Sequence, residues 1–167
     1  NKNINIDSKF FLNSTHFFNI LVPIQNTSLE HKNFTFVLQL ANRCIDYPIQ
    51  FLVTSDKELR QGYGPDNVIY IGSKDRNEYL SLLDVVDATI VTSTVETVGL
   101  PIFESLANKK YCFVFKQKYL DGITELFGSL DGLLVFSNEE EFVKAYHVAN
   151  NPFPNGKSPY INGDWDF

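Results

Sequence analysis

Residues 95–110 read VETVGLPIFESLANKK, an otherwise apolar stretch with two carboxylates, Glu96 and Glu104, seven residues apart. Between them stands Gly99-Leu100-Pro101. Glycine permits a tight turn and close approach of a ligand to the main chain. Proline suits the first helical position, where its missing N–H costs nothing. The pattern predicts a helix entry, with the helix running from about Pro101 to Asn108. The free N–H groups of a first turn, with the positive end of the helix dipole, make a seat for a diphosphate. Glu104, about one turn in, could accept two charge-assisted hydrogen bonds from neighbouring hydroxyls such as those of a ribose, roughly 1.5–3 kcal/mol each. Glu96 precedes the turn and would face a sugar attached to the far side of the phosphates. Acidic residues early in helices also complement the dipole and solvate a surface. Spacing alone leaves both readings open.

Such a turn needs a scaffold, and the chain supplies alternating elements. The apolar runs at 17–23, 49–55, 67–72, 88–93, 111–115 and 132–136 read as six short buried strands. Helical spacing marks 33–44, with Phe36, Val37, Leu40 and Cys44, and 76–86, with Tyr79, Leu82, Leu83 and Val86. Residues 119–128 read as a turn and weak helix. Residues 138–150 form a last helix, with Asn138 as N-cap and Glu141 three residues on. Strands alternating with helices predict an α/β fold: a doubly wound, Rossmann-like parallel sheet with helices on both faces. Such sheets bind ligands at the carboxyl ends of their strands. The polar loops QNTSLEHKN, TSDKELRQGYGPD, GSKDRN and TSTVETVG all follow strands and open onto that edge.

Composition bounds the rest. The 167 residues, 44% hydrophobic and 20% charged, suit one ordinary domain with a real core. The net charge of −6 argues against nucleic acid as the main partner, while a nucleotide needs only one or two cations and some main-chain amides. Residues 1–15 read as a leader or linker, 16–150 as the folded domain, and 151–167 as a C-terminal tail whose Trp165 is an anchor. Cys44 and Cys112 sit in apolar surroundings without metal-type spacing and read as reduced core residues of a cytoplasmic protein. His16, His31 and His147 have no metal-type companions. No apolar run approaches the ~20 residues that span a membrane. The absence of methionine, even at position 1, predicts a fragment or processed segment of something larger.

The stretch from Asp87 to Phe115 resembles the donor-binding segment of the retaining glycosyltransferases of family 4, two-domain enzymes of the GT-B fold. Asp87-Ala88, Thr92-Ser93, Glu96, Gly99-Leu100-Pro101, Glu104 and Ala107 fall on that family's pattern. The resemblance extends upstream through NVIYIGSKDRNEYLSLLDVVDA and the first strand and its "HKN" loop, covering residues 17–148 or so.

It implies the C-terminal, nucleoside diphosphate sugar-binding half of a hexosyltransferase that needs no metal and no other cofactor. By position it makes Glu96 the contact to the donor sugar near the reacting carbon and Glu104 the ribose ligand. The amides of Val98, Gly99 and Leu100 become phosphate ligands, and Lys32 the cation that neutralises the leaving diphosphate. Gly72 and Ser73, followed by Lys74, would lie near the base. The family also implies a glycan or lipid-linked acceptor held by a separate N-terminal domain, and bacterial surface-polysaccharide synthesis in the cytoplasm at the inner face of the membrane, with peripheral membrane association of the full-length enzyme. The chain departs from the pattern at Pro23-Ile24, where many members carry Gly-Arg, at Thr97-Val98, and at Lys116-Gln117-Lys118. The lost arginine motivates a rival reading as a nucleotide-binding scaffold without catalysis. A sugar-nucleotide 2-epimerase shares the architecture, but its acid and base residues find no match here.

Overall fold

The computed structural model describes residues 17–56 and 64–154. The leader, His16, part of the loop after the second strand, and the tail beyond 154 with Trp165 lie outside the described residues. Six parallel strands form one sheet: β1 (Phe18–Val22), β2 (Ile49–Val53), β3 (Val68–Tyr70), β4 (Ala88–Val91), β5 (Tyr111–Phe115) and β6 (Leu133–Phe136). Their spatial order is β3-β2-β1-β4-β5-β6. Five helices join them: α1 (Phe34–Arg43), α2 (Arg76–Val85), α3 (Leu100–Ala107), α4 (Tyr119–Phe127) and α5 (Glu139–Ala149). A 3-10 turn, Glu30–Lys32, interrupts the loop after β1.

The period-two pattern of the strands decides which helix covers which face. Ile20 and Val22 of β1, Ile90 of β4 and Phe113 of β5 point to one face, where α1 and α5 pack with Phe34, Val37, Leu40, Phe142 and Tyr146. The alternate residues point the other way. Leu21 and Leu52 meet Leu82 and Leu83 of α2. Val91, Cys112 and Val114 meet Ile102 and Leu106 of α3 and Leu120 and Ile123 of α4. The first face is rich in aromatics, with Phe113, Phe136 and Phe142 fully buried and Phe142 in ring contact with both of the others. The doubly wound sheet read from the sequence is therefore the observed one, and both cysteines are buried and unpaired. Burial pushes the Cys44 thiol up to about 11 and Cys112 to about 12.

The weak helix expected at 119–128 is a full helix of nine residues despite Gly122, because Leu120 and Ile123 bury on the sheet. Packing of an apolar stripe outweighs the ~1 kcal/mol propensity penalty of glycine. The capping residue read at Asn138 acts as one: its Oδ1 accepts from Glu141 N at 2.9 Å, while Glu141 Oε2 accepts from Ser137 N. Residues 151–154 lie against the domain. Phe153 packs edge-on to Tyr111, whose hydroxyl donates to Pro152 O at 3.0 Å. Among the described residues, no helix is long and apolar enough to cross a membrane.

Two contacts of this scaffold make quantitative expectations. Asp87 Oδ2 accepts from the amide of buried Asn19 at 2.7 Å, and Asp87 N donates back to Asn19 O, clamping β4 to β1. Asp87→Ala is expected to lower stability by about 1–3 kcal/mol, read as a lower urea midpoint at unchanged slope. An unchanged midpoint would remove the clamp from the account. Gly132 has φ +85, and a Cβ there would lie 2.3 Å from the Phe153 ring. Gly132→Ala is expected to destabilise by more than Gly122→Ala, where nothing stands within 4 Å.

Candidate functional site

In this strand order the chain leaves β1 toward one face and β4 toward the other, so a crevice opens between their carboxyl ends. The loops that rim it are stitched together. Thr92 Oγ1 donates to Lys32 O at 2.9 Å and Thr94 N to His31 O at 2.8 Å, joining the loops after β1 and β4. Ser55 Oγ donates to Gln25 O, and Gln25 Nε2 to Lys74 O, joining the loops after β1, β2 and β3.

This stitching brings Lys32 to Glu96. The ammonium lies 3.1 Å from Glu96 Oε1, with the two side chains 29% and 15% exposed. Lys32 ends the 3-10 turn, which Asn33 closes in a left-handed conformation at φ 55. Asparagine is among the few residues that tolerate that geometry. The two residues read as catalytic are thus neighbours in space, held by a turn the sequence reading took for open loop. Tyr119 of α4 stands near this pair. Burial pushes its phenol up, and the Glu96 carboxylate adds to the effect.

The turn expected at Gly99 is present. Gly99 has φ 69 and is the N-cap of α3, with Pro101 in the first turn. A Cβ there would meet Ile102 Cδ1 at 3.3 Å as well as the left-handed strain. No side chain caps this helix, whereas Asp75 caps α2 and Asn138 caps α5. Val98 and Leu100 are 50% and 41% exposed beside it. Leu100 lines the crevice and Val98 is exposed beside it, while Gly99 between them is buried.

On the α2 side of this turn is a cleft of about 330 Å³ lined by Pro23, Gln25, Thr54, Lys74, Asp75, Arg76, Tyr79, Leu100, Pro101 and Glu104. Two helix N-termini, those of α2 and α3, flank it, and their dipoles add to the charge of Lys74 and Arg76. Lys74 Nζ stands 3.9 Å from Glu78 Oε2. Gly72, at φ 80, and Ser73 do not line the cleft. They bond to the loop after β2, Gly72 N donating to Ser55 O at 3.2 Å and Ser73 N to Asp56 Oδ1 at 3.4 Å.

Glu104 is 7% exposed, and its Oε2 forms a close ion pair with Arg76 Nη1 at 2.5 Å. Burial raises its pKa, and the charge of Arg76 offsets part of that rise. Burial also pushes the Tyr79 phenol up, with Glu104 adding to it. The structure so divides the residues read from the sequence. Glu104 and Leu100 line the cleft, Glu96 and Lys32 pair with each other, and Gly72 and Ser73 lie outside the lining, bonded to the loop after β2.

Arg76 was missed. Its signal was the pair of cations in GSKDRN, a loop that follows a strand and precedes a helix. At the positions where the resembled family often has Gly-Arg, Pro23 lines the cleft and Ile24 is buried in the core. The cleft takes its cations from the β3–α2 connection instead. Among the described residues, no group of three acidic, histidine or cysteine side chains is placed to hold a metal.

No family model and no curated protein sequence matches the chain. Solved structures do. The C-terminal domain of the glycosyl transferase group 1 family protein LpcC from Francisella tularensis superposes with TM-score 0.61 at 17% identity, over 87% of this chain and 82% of that one. The UDP-GlcNAc 2-epimerase of Methanocaldococcus jannaschii, solved with UDP-GlcNAc and UDP, gives TM-score 0.64 at 18% identity over 97% of this chain. A variant of S. aureus TarM, solved with Fondaparinux, alpha-GlcNAc-glycerol and UDP, gives 0.61 at 18% over 82%. The chain spans 46% of the epimerase and 30% of TarM, under half the length of each. These likenesses fix the architecture: the chain has the Rossmann-like α/β fold of one half of a GT-B enzyme.

Proposed function

We propose that this chain is the donor domain of a retaining glycosyltransferase, binding a nucleoside diphosphate sugar whose hexosyl unit passes to an acceptor hydroxyl. The observation that carries the reading is the uncapped turn at Gly99, with a buried carboxylate on one flank and the Lys32–Glu96 pair on the other. The diphosphate would rest on the amides of Val98, Gly99 and Leu100, the ribose on Glu104, and the sugar against Glu96. The base would lie toward Gly72, Ser73 and Lys74. As the bond from the anomeric carbon to the diphosphate breaks, negative charge grows on the departing phosphate oxygen. Lys32, released from Glu96, and the helix N-terminus would meet that charge, and such donors can contribute roughly 10²–10³ in rate. The Lys32–Glu96 contact keeps both groups aimed at the turn until the donor arrives.

In this reading the acceptor, a glycan or lipid-linked sugar, is held by a further domain of the full-length enzyme. The setting is bacterial surface-polysaccharide synthesis at the cytoplasmic side of the membrane. Three neighbours of the fold support the substrate class, being a glycosyl transferase domain, a UDP-sugar epimerase and a UDP-bound transferase. The epimerase covers nearly all of this chain, which favours a second reading as a sugar-nucleotide 2-epimerase. A full-length parent that inverts C2 of UDP-GlcNAc with no acceptor present would decide for it.

Calorimetry of this 167-residue chain with UDP and GDP is expected to show binding of one of them. Glu104→Ala should weaken it roughly tenfold to a hundredfold, the worth of the lost charge-assisted hydrogen bonds. No heat with either nucleotide at millimolar concentration would defeat the donor-domain reading. Lys32→Ala in the full-length parent is expected to lower kcat by about 10²–10³ with a smaller effect on donor KM. An equal loss in nucleotide affinity and no loss in kcat would make Lys32 a binding residue only.

A further inference from the structure

We infer that Arg76 is a positioning residue: it holds the Glu104 carboxylate by Oε2, so that the other oxygen is presented to the ribose hydroxyls. The inference rests on the nucleotide reading, and it adds a residue that the turn motif does not contain.

A carboxylate as enclosed as Glu104 carries a desolvation cost that favours its neutral form. A protonated Glu104 would offer a hydroxyl donor in place of an acceptor and would bind a diol less well. Something must keep it ionised. The charged and titratable groups facing it are few. From the β3–α2 connection come Lys74 and Asp75, and Lys74 is engaged with Glu78. From α2 come Arg76 and Tyr79. Arg76 is the cation in contact, with Nη1 at 2.5 Å. Asn108 Nδ2 reaches the main-chain oxygen of Glu104, not its side chain.

The placement of Arg76 also runs against its own helix. It is the first residue of α2, where the dipole disfavours a cation. Its side chain is 59% exposed, so its loss removes little packing. A bound ribose supplies hydroxyl dipoles and no net charge, so Glu104 still needs its counter-ion in the complex. Arg76 then stays on Oε2 while the ribose takes Oε1. A guanidinium so placed also puts positive charge beside the diphosphate seat.

The test compares wild type, Arg76→Ala, Arg76→Lys, Glu104→Gln and the Arg76→Ala/Glu104→Gln double variant as full 167-residue chains. UDP and GDP binding is followed by calorimetry across pH, with urea midpoints as the folding control. Arg76→Ala is expected to weaken nucleotide binding about tenfold or more at neutral pH. The sign of the pH effect follows from the raised carboxyl. Binding needs the ionised form, so it is lost as pH falls through the Glu104 pKa, and removing Arg76 moves that loss to higher pH. Arg76→Lys should restore part of the affinity. In the Glu104→Gln background Arg76→Ala should have little further effect, as coupled residues do.

Equal affinity and an unmoved pH profile in Arg76→Ala would overturn the inference. So would an undiminished effect of Arg76→Ala in the Glu104→Gln background. If wild type binds neither nucleotide, the donor reading fails, and a carboxyl-carbon NMR titration of ligand-free protein judges the counter-ion role by itself. An unmoved Glu104 midpoint in Arg76→Ala overturns that role, and an upward-moved midpoint upholds it.

Discussion

The structure depends on the seam between β1 and β4. These two parallel strands are hydrogen-bonded neighbours, Ile20 opposite Ala88 and Leu21 opposite Thr89, yet their following helices lie on opposite faces of the sheet. The divergence leaves main-chain groups at the strand ends without a covering helix. The chain answers with cross-loop bonds from Thr92 and Thr94 to the turn at Lys32. Asp87 locks the other end of the same seam. Lys32, Glu96, Gly99 and Glu104 sit where the seam opens.

Much of this was legible from residue order alone. Strands buried on both faces read as apolar runs, and all six lie within the ranges so read. Gly99 and Pro101 announce the α3 entry, because each residue type has a backbone reason to be there. Glu96, Glu104 and Lys32 stand out through their resemblance to a known pattern, and Lys32 and Glu96 lie 3.1 Å apart in the fold. The roles given to them as ligand contacts remain proposals.

What escaped has a common cause. The 3-10 turn at Glu30–Lys32 is too short to leave a period in the sequence. The α4 helix was underestimated because Gly122 lowers local propensity while the burial of Leu120 and Ile123 is a tertiary effect. Arg76 looks like any solvated cation at a helix start. Only the fold carries it to Glu104, which lies on a different helix, and no local rule pairs them. Tyr111, at the start of β5, and Phe153 likewise meet in a contact that composition cannot foresee.

The two faces of the sheet differ in how they are joined. On the α1–α5 face one continuous apolar cluster spans the whole width, from Val68 of β3 to Phe136 of β6. On the opposite face the apolar packing is split into two separate groups, one under α2 and one under α3 and α4. The Arg76–Glu104 contact straddles the division. The first face is thus packed as one unit, while the second is divided along the line where the cleft opens. The division is bridged by side chains, Arg76 to Glu104 and Lys110 Nζ to Asp84 O, so a guest seated there borders two packed groups and not one knitted core.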